Sequence, residues 1–393
     1  SRGLGDVYKR QFIMVAHIWN CFYARFGVLS PNSNEFFCLS GYWIDQTQKY
    51  AYNNFNKFGT ITGRKGRIPL RDMIDSILEN SHSISGVALK NTPNSRELLL
   101  DQATGKGRMT FYTLFPGLTV AFIFVNAPPW PESDENSDLR PLLINYCISG
   151  RSELLLDDGS YIYLKENDFC VSEQTAQKEY IFPTGKYRGI KIYFDLALLS
   201  QSSGQIMETF DIDPAQLEEL YCRKRKTYIN EADHDLTAVF QKLWSLSENP
   251  SPFYLRIYTL ELLHELLCME IHPSKTCGFY TETQVEIAKR AAQIISEDLH
   301  KHIPISQIAE RFSVSETSLK NYFRGVYGQN ISTWLREIRM DTAAELLSNT
   351  KRPIAEISEQ VGYSNQGKFA AVFKKRFGLS PLEYRRLKNL DKS

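Results

Sequence analysis

The sequence predicts a multidomain chain, part β and part α: a small N-terminal β-barrel or sandwich, a helical segment behind it, and an all-α C-terminal quarter of tandem helix-turn-helix units. Three observations lead there. Short β-rich segments separated by turn residues fill the stretch from about Leu98 to Asp195. Residues at helical spacing follow as far as Ile271. One pattern is then written twice, over 305–328 and again over 354–378.

Composition bounds the reading. At 393 residues the chain is long enough for two or three hydrophobic cores. Its net charge is only +1, but from residue 284 onward there are 18 Lys+Arg against 12 Asp+Glu, net +6, which leaves 28 against 33, net −5, for the rest. The basic excess lies where the doubled pattern lies, as a polyanion-binding surface requires. The seven cysteines (positions 21, 38, 147, 170, 222, 268 and 277) are odd in number, scattered and free of any Cys-x-x-Cys. That argues against a disulfide framework or a zinc finger and fits a reducing, cytoplasmic setting. No run of 18 apolar residues suggests a membrane span, and the apolar stretch from Phe12 is broken by His17 and Asn20, against a signal peptide.

Residues 1–72 form a leader of doubtful origin. The chain opens with Ser, 14 of these 72 residues are aromatic against 12% overall, and amphipathic periodicity is poor. Met73 opens a stretch that reads as the start of a folded chain. Two explanations fit: translated upstream sequence with Met73 as the native start, or an ordinary extension.

A sensor-like β domain is expected over 73–200. Its strands are read at 118–125, 142–148, 153–156, 161–164, 169–171 and 189–194, with turns at Ser149-Gly150, Asp157-Asp-Gly159, Glu166-Asn-Asp168 and Pro183-Thr-Gly185. The hairpin through Asp158-Gly159 is the firmest of these. Trp130, Tyr146, Tyr161, Tyr163 and Tyr180 are aromatics able to stack on a small effector, and Arg151 and Lys178 could meet an anionic one. Plain core packing and solvated loop charges are the alternatives. Behind the barrel, 201–272 carries helical spacing at 214–220, 235–246 and 253–271. In the last of these Leu255, Tyr258, Leu262, Leu266 and Met269 make one apolar stripe, either a dimer seam or the lid of the barrel. Residues 273–283 read as a linker.

The C-terminal unit, 284–390, rests on the doubled pattern. In each copy a short helix with apolar residues at i, i+3 and i+7 (Ile305, Ile308, Phe312; Ile354, Ile357, Val361) meets a small residue, Ser313 or Gly362. Ser315 or Ser364 then stands where an N-cap belongs. The second helix keeps one apolar face (Leu319, Tyr322, Phe323; Phe369, Val372, Phe373) and ends at Gly328 or Gly378, suited to a left-handed C-cap. Its other face is polar and cationic, the form of a helix that enters a DNA major groove. Between the copies, 331–347 reads as one rigid helix with Asn349 as its stop and Pro353 opening the next. Two readers on such a spacer reach successive major-groove faces about 34 Å apart.

At these residues the chain resembles the AraC/XylS family of bacterial transcription regulators. The match is carried by Ile354-Ala-Glu-Ile-Ser-Glu-Gln-Val-Gly-Tyr363 and Phe373-Lys-Lys-Arg-Phe-Gly-Leu-Ser-Pro-Leu-Glu-Tyr-Arg385. The wording Gly367-Lys-Phe-Ala-Ala-Val-Phe373 is similar to the subgroup containing the pyochelin and yersiniabactin siderophore regulators. The resemblance implies a cupin-like barrel binding a small effector, a helical dimerisation segment, double-stranded DNA as partner and, for an activator, RNA polymerase. It implies no cofactor. A metal-dependent cupin enzyme needs clustered His ligands, and no histidine lies between Ser83 and Asp233.

Carried onto this sequence, the family pattern makes Thr317, Lys320, Asn321, Asn365, Gln366 and Lys368 the base-reading candidates, with Glu316, Ser318 and Gly367 beside them. Asn and Gln pair with adenine, Lys reaches guanine, and Thr can touch a thymine methyl. Ser315, Arg324, Ser364, Lys374, Lys375, Arg376 and Arg385 are the phosphate candidates. Ala370 and Ala371 stand where some relatives place an arginine, so the second helix has fewer groups for base contacts. The function expected is a ligand-responsive, sequence-specific transcription activator. The alternatives are a constitutive regulator whose N-terminal half only dimerises, and a bifunctional DNA-repair methyltransferase, which needs an accessible activated cysteine where Cys147, Cys170 and Cys268 lie in apolar segments.

Overall fold

The computed structural model describes residue 78 and residues 86–390 apart from 104, 128, 132–141, 157, 174–178, 224–226, 272–277 and 302. The leader and the Met73 start fall outside the described residues.

Eleven strands are present among the described residues: β1 Val87–Asn91, β2 Arg96–Gln102, β3 Gly105–Phe115, β4 Leu118–Asn126, β5 Pro129–Pro131, β6 Leu142–Leu155, β7 Tyr161–Lys165, β8 Asp168–Glu173, β9 Glu179–Ile181, β10 Tyr187–Phe194 and β11 Thr227–Glu231. Among the described residues all strand pairings are antiparallel. The main sheet runs β1-β2-β3-β4-β10-β6-β8-β11, with β7 on β6, while β5 and β9 form a ribbon of their own. A closed barrel would join the ends of that order. Among the described residues β1 and β11 are not paired with each other, so the sheet stays open.

Both faces of this sheet are covered, which is why its strands read as near-continuous apolar runs. Alternate residues divide between two cores. Leu118, Val120 and Phe122 with Ile190, Ile192 and Phe194 face one; Ala121, Ile123 and Val125 with Tyr187 and Tyr193 face the other. Helices close the first core: α1 Leu196–Thr209, α2 Pro214–Cys222, α3 His234–Ser245 and α4 Pro252–Cys268. Phe240 of α3 lies flat on Tyr146 of β6, ring centroids 3.9 Å apart.

The β region and the first helix depart from the sequence expectations at three places. The turn expected at Ser149-Gly150 is the middle of the long strand β6; Gly150 takes φ +90°, and a Cβ there would overlap the Lys186 carbonyl. The β region begins at Val87 rather than near Leu98, because turn-forming residues 92–95 and the glycines of β3 hide two hairpins. Helix α1 precedes the helical spacing expected from 214: its interior Ser-Gln-Ser-Ser-Gly204 is poor in helix formers, and it stands on the Asp195 cap and the burial of Leu199, Ser203 and Met207. The stripe on α4 is spent inside the chain, as a lid and not a free seam. Leu255, Leu262 and Leu266 are buried in the first core, with Tyr258 and Met269 packed against it.

The C-terminal part is α5 Glu282–Glu297, α6 Ile305–Arg311, α7 Glu316–Tyr327, α8 Ile331–Asn349, α9 Ile354–Gln360, α10 Gln366–Phe377 and α11 Pro381–Leu390. Helix α5 opens on a capping box between Thr281 and Gln284, inside the stretch expected as linker. Each helix-turn-helix has its own core. Leu319 and Phe323 pack with Ile308 and Trp334 in the first, Phe369 and Phe373 with Ile357 and Leu347 in the second. Helix α8 feeds both, with Trp334 at one end and Leu347 at the other.

Candidate nucleic-acid interface

The first reader is α7. The chain turns into it at Ser313, whose φ of +55° is costly for a residue with a side chain. Ser315 caps the helix, its hydroxyl accepting from the Ser318 N–H at 3.1 Å. With Leu319 and Phe323 turned inward, Thr317, Lys320, Asn321 and Arg324 are left exposed on the other side. Lys320 Nζ donates to Glu316 at 2.8 Å, an exposed i,i+4 pair that duplex phosphates can replace at small cost.

The second reader is α10. Gly362 turns the chain at φ +81°, where a Cβ would overlap the Leu299 carbonyl and the Arg339 guanidinium. The buried Ser358 hydroxyl donates to the Tyr363 carbonyl at 3.1 Å and fixes the same turn. The cap differs from expectation. Ser364 is exposed and does not cap; Asn365 does, with Oδ1 accepting from the Lys368 N–H at 2.8 Å. Asn365 therefore has its acceptor engaged and is less free for adenine. Gln366, Gly367, Lys368 and Ala371 are exposed and Ala370 is half-buried.

The two helices match at their ends. Gly328 (φ +76°) and Gly378 (φ +75°) take the left-handed conformation, and their N–H groups bond the Arg324 and Lys374 carbonyls at 2.8 Å each. The spacer α8 is 19 residues, about 28 Å at 1.5 Å per residue.

The phosphate candidates divide. Lys374 and Lys375 are exposed at the C-terminal end of α10. Arg376 is not free: both its Nε and Nη2 donate to Asp341 of α8, the closest contact being 2.7 Å, with Glu337 at 3.6 Å. Arg385 donates to the Arg352 carbonyl at 2.7 Å and holds α11 against the start of the second unit. At the start of α11 the Ser380 backbone donates to Glu383, and hydrogen bonding from the Ser380 side chain first, then from its backbone N–H, holds that carboxyl below its ordinary range.

Among the described residues the effector candidates are not all brought together. Trp130 and Tyr146 are buried on opposite faces of the sheet. Tyr146 donates to Asn167 at 2.7 Å. Tyr161, Tyr163 and Arg151 cluster at the end of the β6–β7 hairpin against α5 and α7. Lys178 lies outside the described residues, as does the side chain of Tyr180. A cleft of about 480 Å³ opens between α1 and α2, lined by Leu199, Met207, Ile212 and Asp213 among others, and it includes none of the candidates.

The hairpin cluster was missed as a unit. Arg151 Nη2 donates to the Gly325 carbonyl at 2.5 Å, and Tyr163 Oη donates to Glu153 at 2.7 Å. Glu153 in turn meets Lys289 of α5 at 2.8 Å. Burial, then the Glu153 charge, pushes the Tyr163 hydroxyl well up, and burial lowers the Arg151 guanidinium. One signal was available: a glycine, Gly325, inside a helical pattern.

Cys147 and Cys170 are buried as expected, and burial raises both thiols, Cys170 to about 12. Cys268 departs from expectation: it is exposed, its Sγ 3.6 Å from His264 Nε2. Among the described residues no three His, Cys, Asp or Glu gather as metal ligands would, and no helix is long and apolar enough to cross a membrane.

Two capped helix-turn-helix units on a shared helix, in a basic stretch, define a DNA-binding module. Comparison with known proteins agrees: a helix-turn-helix domain family matches residues 308–387. The arabinose operon regulatory protein of Salmonella typhimurium is 38% identical over 96 residues, 24% of this chain and 34% of that protein. Regulatory protein SoxS of the same organism is 31% identical over 100 residues, 25% of this chain and 94% of SoxS. The virulence regulon transcriptional activator VirF of Yersinia enterocolitica is 23% identical over 236 residues, 58% of this chain and 81% of VirF. The chain belongs to the AraC/XylS family of bacterial transcription regulators. It spans about a third of the length of the arabinose operon regulators it matches.

Proposed function

We propose that the protein is a ligand-responsive transcription activator that grips one side of a DNA duplex with α7 and α10. The single observation that carries this is the pair of capped readers at the two ends of α8, each with its own core. In this reading Thr317, Lys320, Asn321, Gln366 and Lys368 meet base edges, with Asn365 serving mainly as the cap. Ser315, Arg324, Ser364, Lys374 and Lys375 hold phosphates, while Arg376 and Arg385 act inside the fold.

The remaining assignments belong to the same proposal. Residues 73–200 form a cupin-like sensor, 201–272 the helical segment, 273–283 the connection and 284–390 the DNA-binding unit. The effector is a small molecule, the site is cytoplasmic, and RNA polymerase is the further partner. Similarity to VirF along more than half the chain, and the word activator in that protein's name, support activation. The chain acts as a homodimer, with exposed Phe253 and Tyr254 at the start of α4 as the apolar surface available for it.

One observation favours a second reading, a constitutive regulator: the expected effector residues that are described share no pocket. A thermal-shift screen of the full chain against siderophores, sugars and aromatic acids separates the two. Stabilisation by one of these supports the sensor, and a flat screen favours the constitutive form. DNA binding itself is tested by enrichment from a random duplex library. A common sequence should emerge, with affinity falling steeply between low and moderate salt through counterion release. Salt-independent binding, or no enrichment, sinks the proposal.

A further inference from the structure

An α-helix leaves its last four carbonyls without partners. In α7 these are the carbonyls of 324–327, and the Gly328 N–H takes the first. The second, on Gly325, is taken by a side chain 174 residues away in sequence: Arg151 of the β6–β7 hairpin, at 2.5 Å. A guanidinium there also faces the negative end of the helix dipole.

The contact is built, not incidental. The Arg151 guanidinium sits 5.4 Å from the Tyr163 ring, and Tyr163 and Lys289 share Glu153, so the hairpin is tied to α5 as well. At Tyr161 the chain entering α5 joins the edge of β7, with Tyr161 and Tyr280 exchanging N–H to carbonyl bonds of 2.8 and 2.9 Å. The Tyr280 ring lies against Gly325, where any Cβ would overlap it. Glycine inside a helix costs about 1 kcal/mol relative to alanine; here it opens the backbone to Tyr280.

We infer that Arg151 is a positioning residue for the first DNA reader: through the Gly325 carbonyl, the β domain orders the last turn of α7 and sets how that helix is presented. Among the described residues helix α10 has no counterpart. Its equivalent carbonyl belongs to Lys375, and among the described residues no side chain donates to it. The inference rests on the proposed DNA-binding function.

The test uses the full chain and the duplex it enriches from a random library. Two derivatives of that duplex are made, one scrambled where α7 reads and one where α10 reads. Arg151→Ala should weaken binding to the enriched duplex roughly tenfold, the scale of a lost charged hydrogen bond. The same loss should persist when the α10 half is scrambled and vanish when the α7 half is scrambled. Arg151→Lys keeps a donor and should recover part of the loss with the same half-site pattern; it also serves if the alanine variant does not fold. A purely structural role would instead weaken all three duplexes alike, and that result overturns the inference. If the wild-type chain enriches no duplex, the DNA-binding proposal itself falls; if it does and both variants bind as wild type, only the inference falls.

Discussion

Helices α7 and α10 are two copies of one device held differently. Each has 12 residues, each starts on a side-chain cap and each ends on a left-handed glycine, fifty positions apart. Among the described residues α10 is tied to its own unit, through Arg376 on Asp341 of the spacer, whereas α7 is also bonded to the β domain through Gly325. Residue 325 is glycine in one and its counterpart 375 is lysine in the other. The duplicated reader thus gives the chain one helix bonded to the β domain and one with no such bond among the described residues.

The largest expected effect breaks one reader at a time. Phe323 and Phe373 are equivalent and fully buried, so truncation to alanine should cost about 3–5 kcal/mol each. Phe373→Ala should abolish protection of one DNA half-site and leave the other; Phe323→Ala should do the reverse. Chemical denaturation and footprinting read the two quantities, and parallel loss of both half-sites in either variant argues against independent units.

Next come the base contacts. Lys320→Ala and Gln366→Ala should each remove about 1–3 kcal/mol from specific binding and leave non-specific binding nearly intact. Competition titrations with enriched and random duplexes measure the split. Loss in both classes together moves these residues to the phosphate group.

The C-caps separate the readers more finely. Gly378→Ala meets open space, so only the left-handed backbone opposes it, about 1–2 kcal/mol. Gly328→Ala meets the same cost plus the Arg151 guanidinium, 3.1 Å from the new Cβ. The melting temperature should therefore fall further for Gly328→Ala, and equal shifts would deny the hairpin contact.

The smallest effect contrasts two neighbours. Lys375→Ala should lower affinity for every duplex and reduce the salt slope by about one. Arg376→Ala should cost about 1 kcal/mol or less of stability, since its carboxylate partners are partly exposed, and leave the salt slope alone. A changed slope for Arg376→Ala would put that side chain on the DNA.

How much of this was legible follows from the range of each interaction. The readers were legible because their signals are local: apolar spacing, a capping side chain, Gly328 and Gly378 all act within one or two turns. Even so, the cap of α10 fell one residue away, on Asn365, because Ser364 and Asn365 are both competent caps and the spacing of Phe369 does not choose between them. The hairpin at Asp158-Gly159 was legible for the same local reason. Gly150 was not, because a positive φ serves a bulge as well as a turn, and the pairing partner that decides, Lys186–Arg188, lies far along the chain. The apolar stripe of α4 was visible, but a buried stripe and a free one look alike until the sheet beneath is placed. Arg151, Tyr161 and Tyr163 read as effector residues from type alone. Their contact with Tyr280 and Gly325 depends on how two distant segments dock, which no short-range pattern records.

The central claim is that α7 and α10 read DNA together. Guanine N7 protection of the enriched duplex by the full chain tests it most directly. Two protected patches should appear on one side of the duplex, about one helical turn apart, with the α7 patch alone weakened by Arg151→Ala. A single patch, or two that respond equally to that substitution, would contradict it.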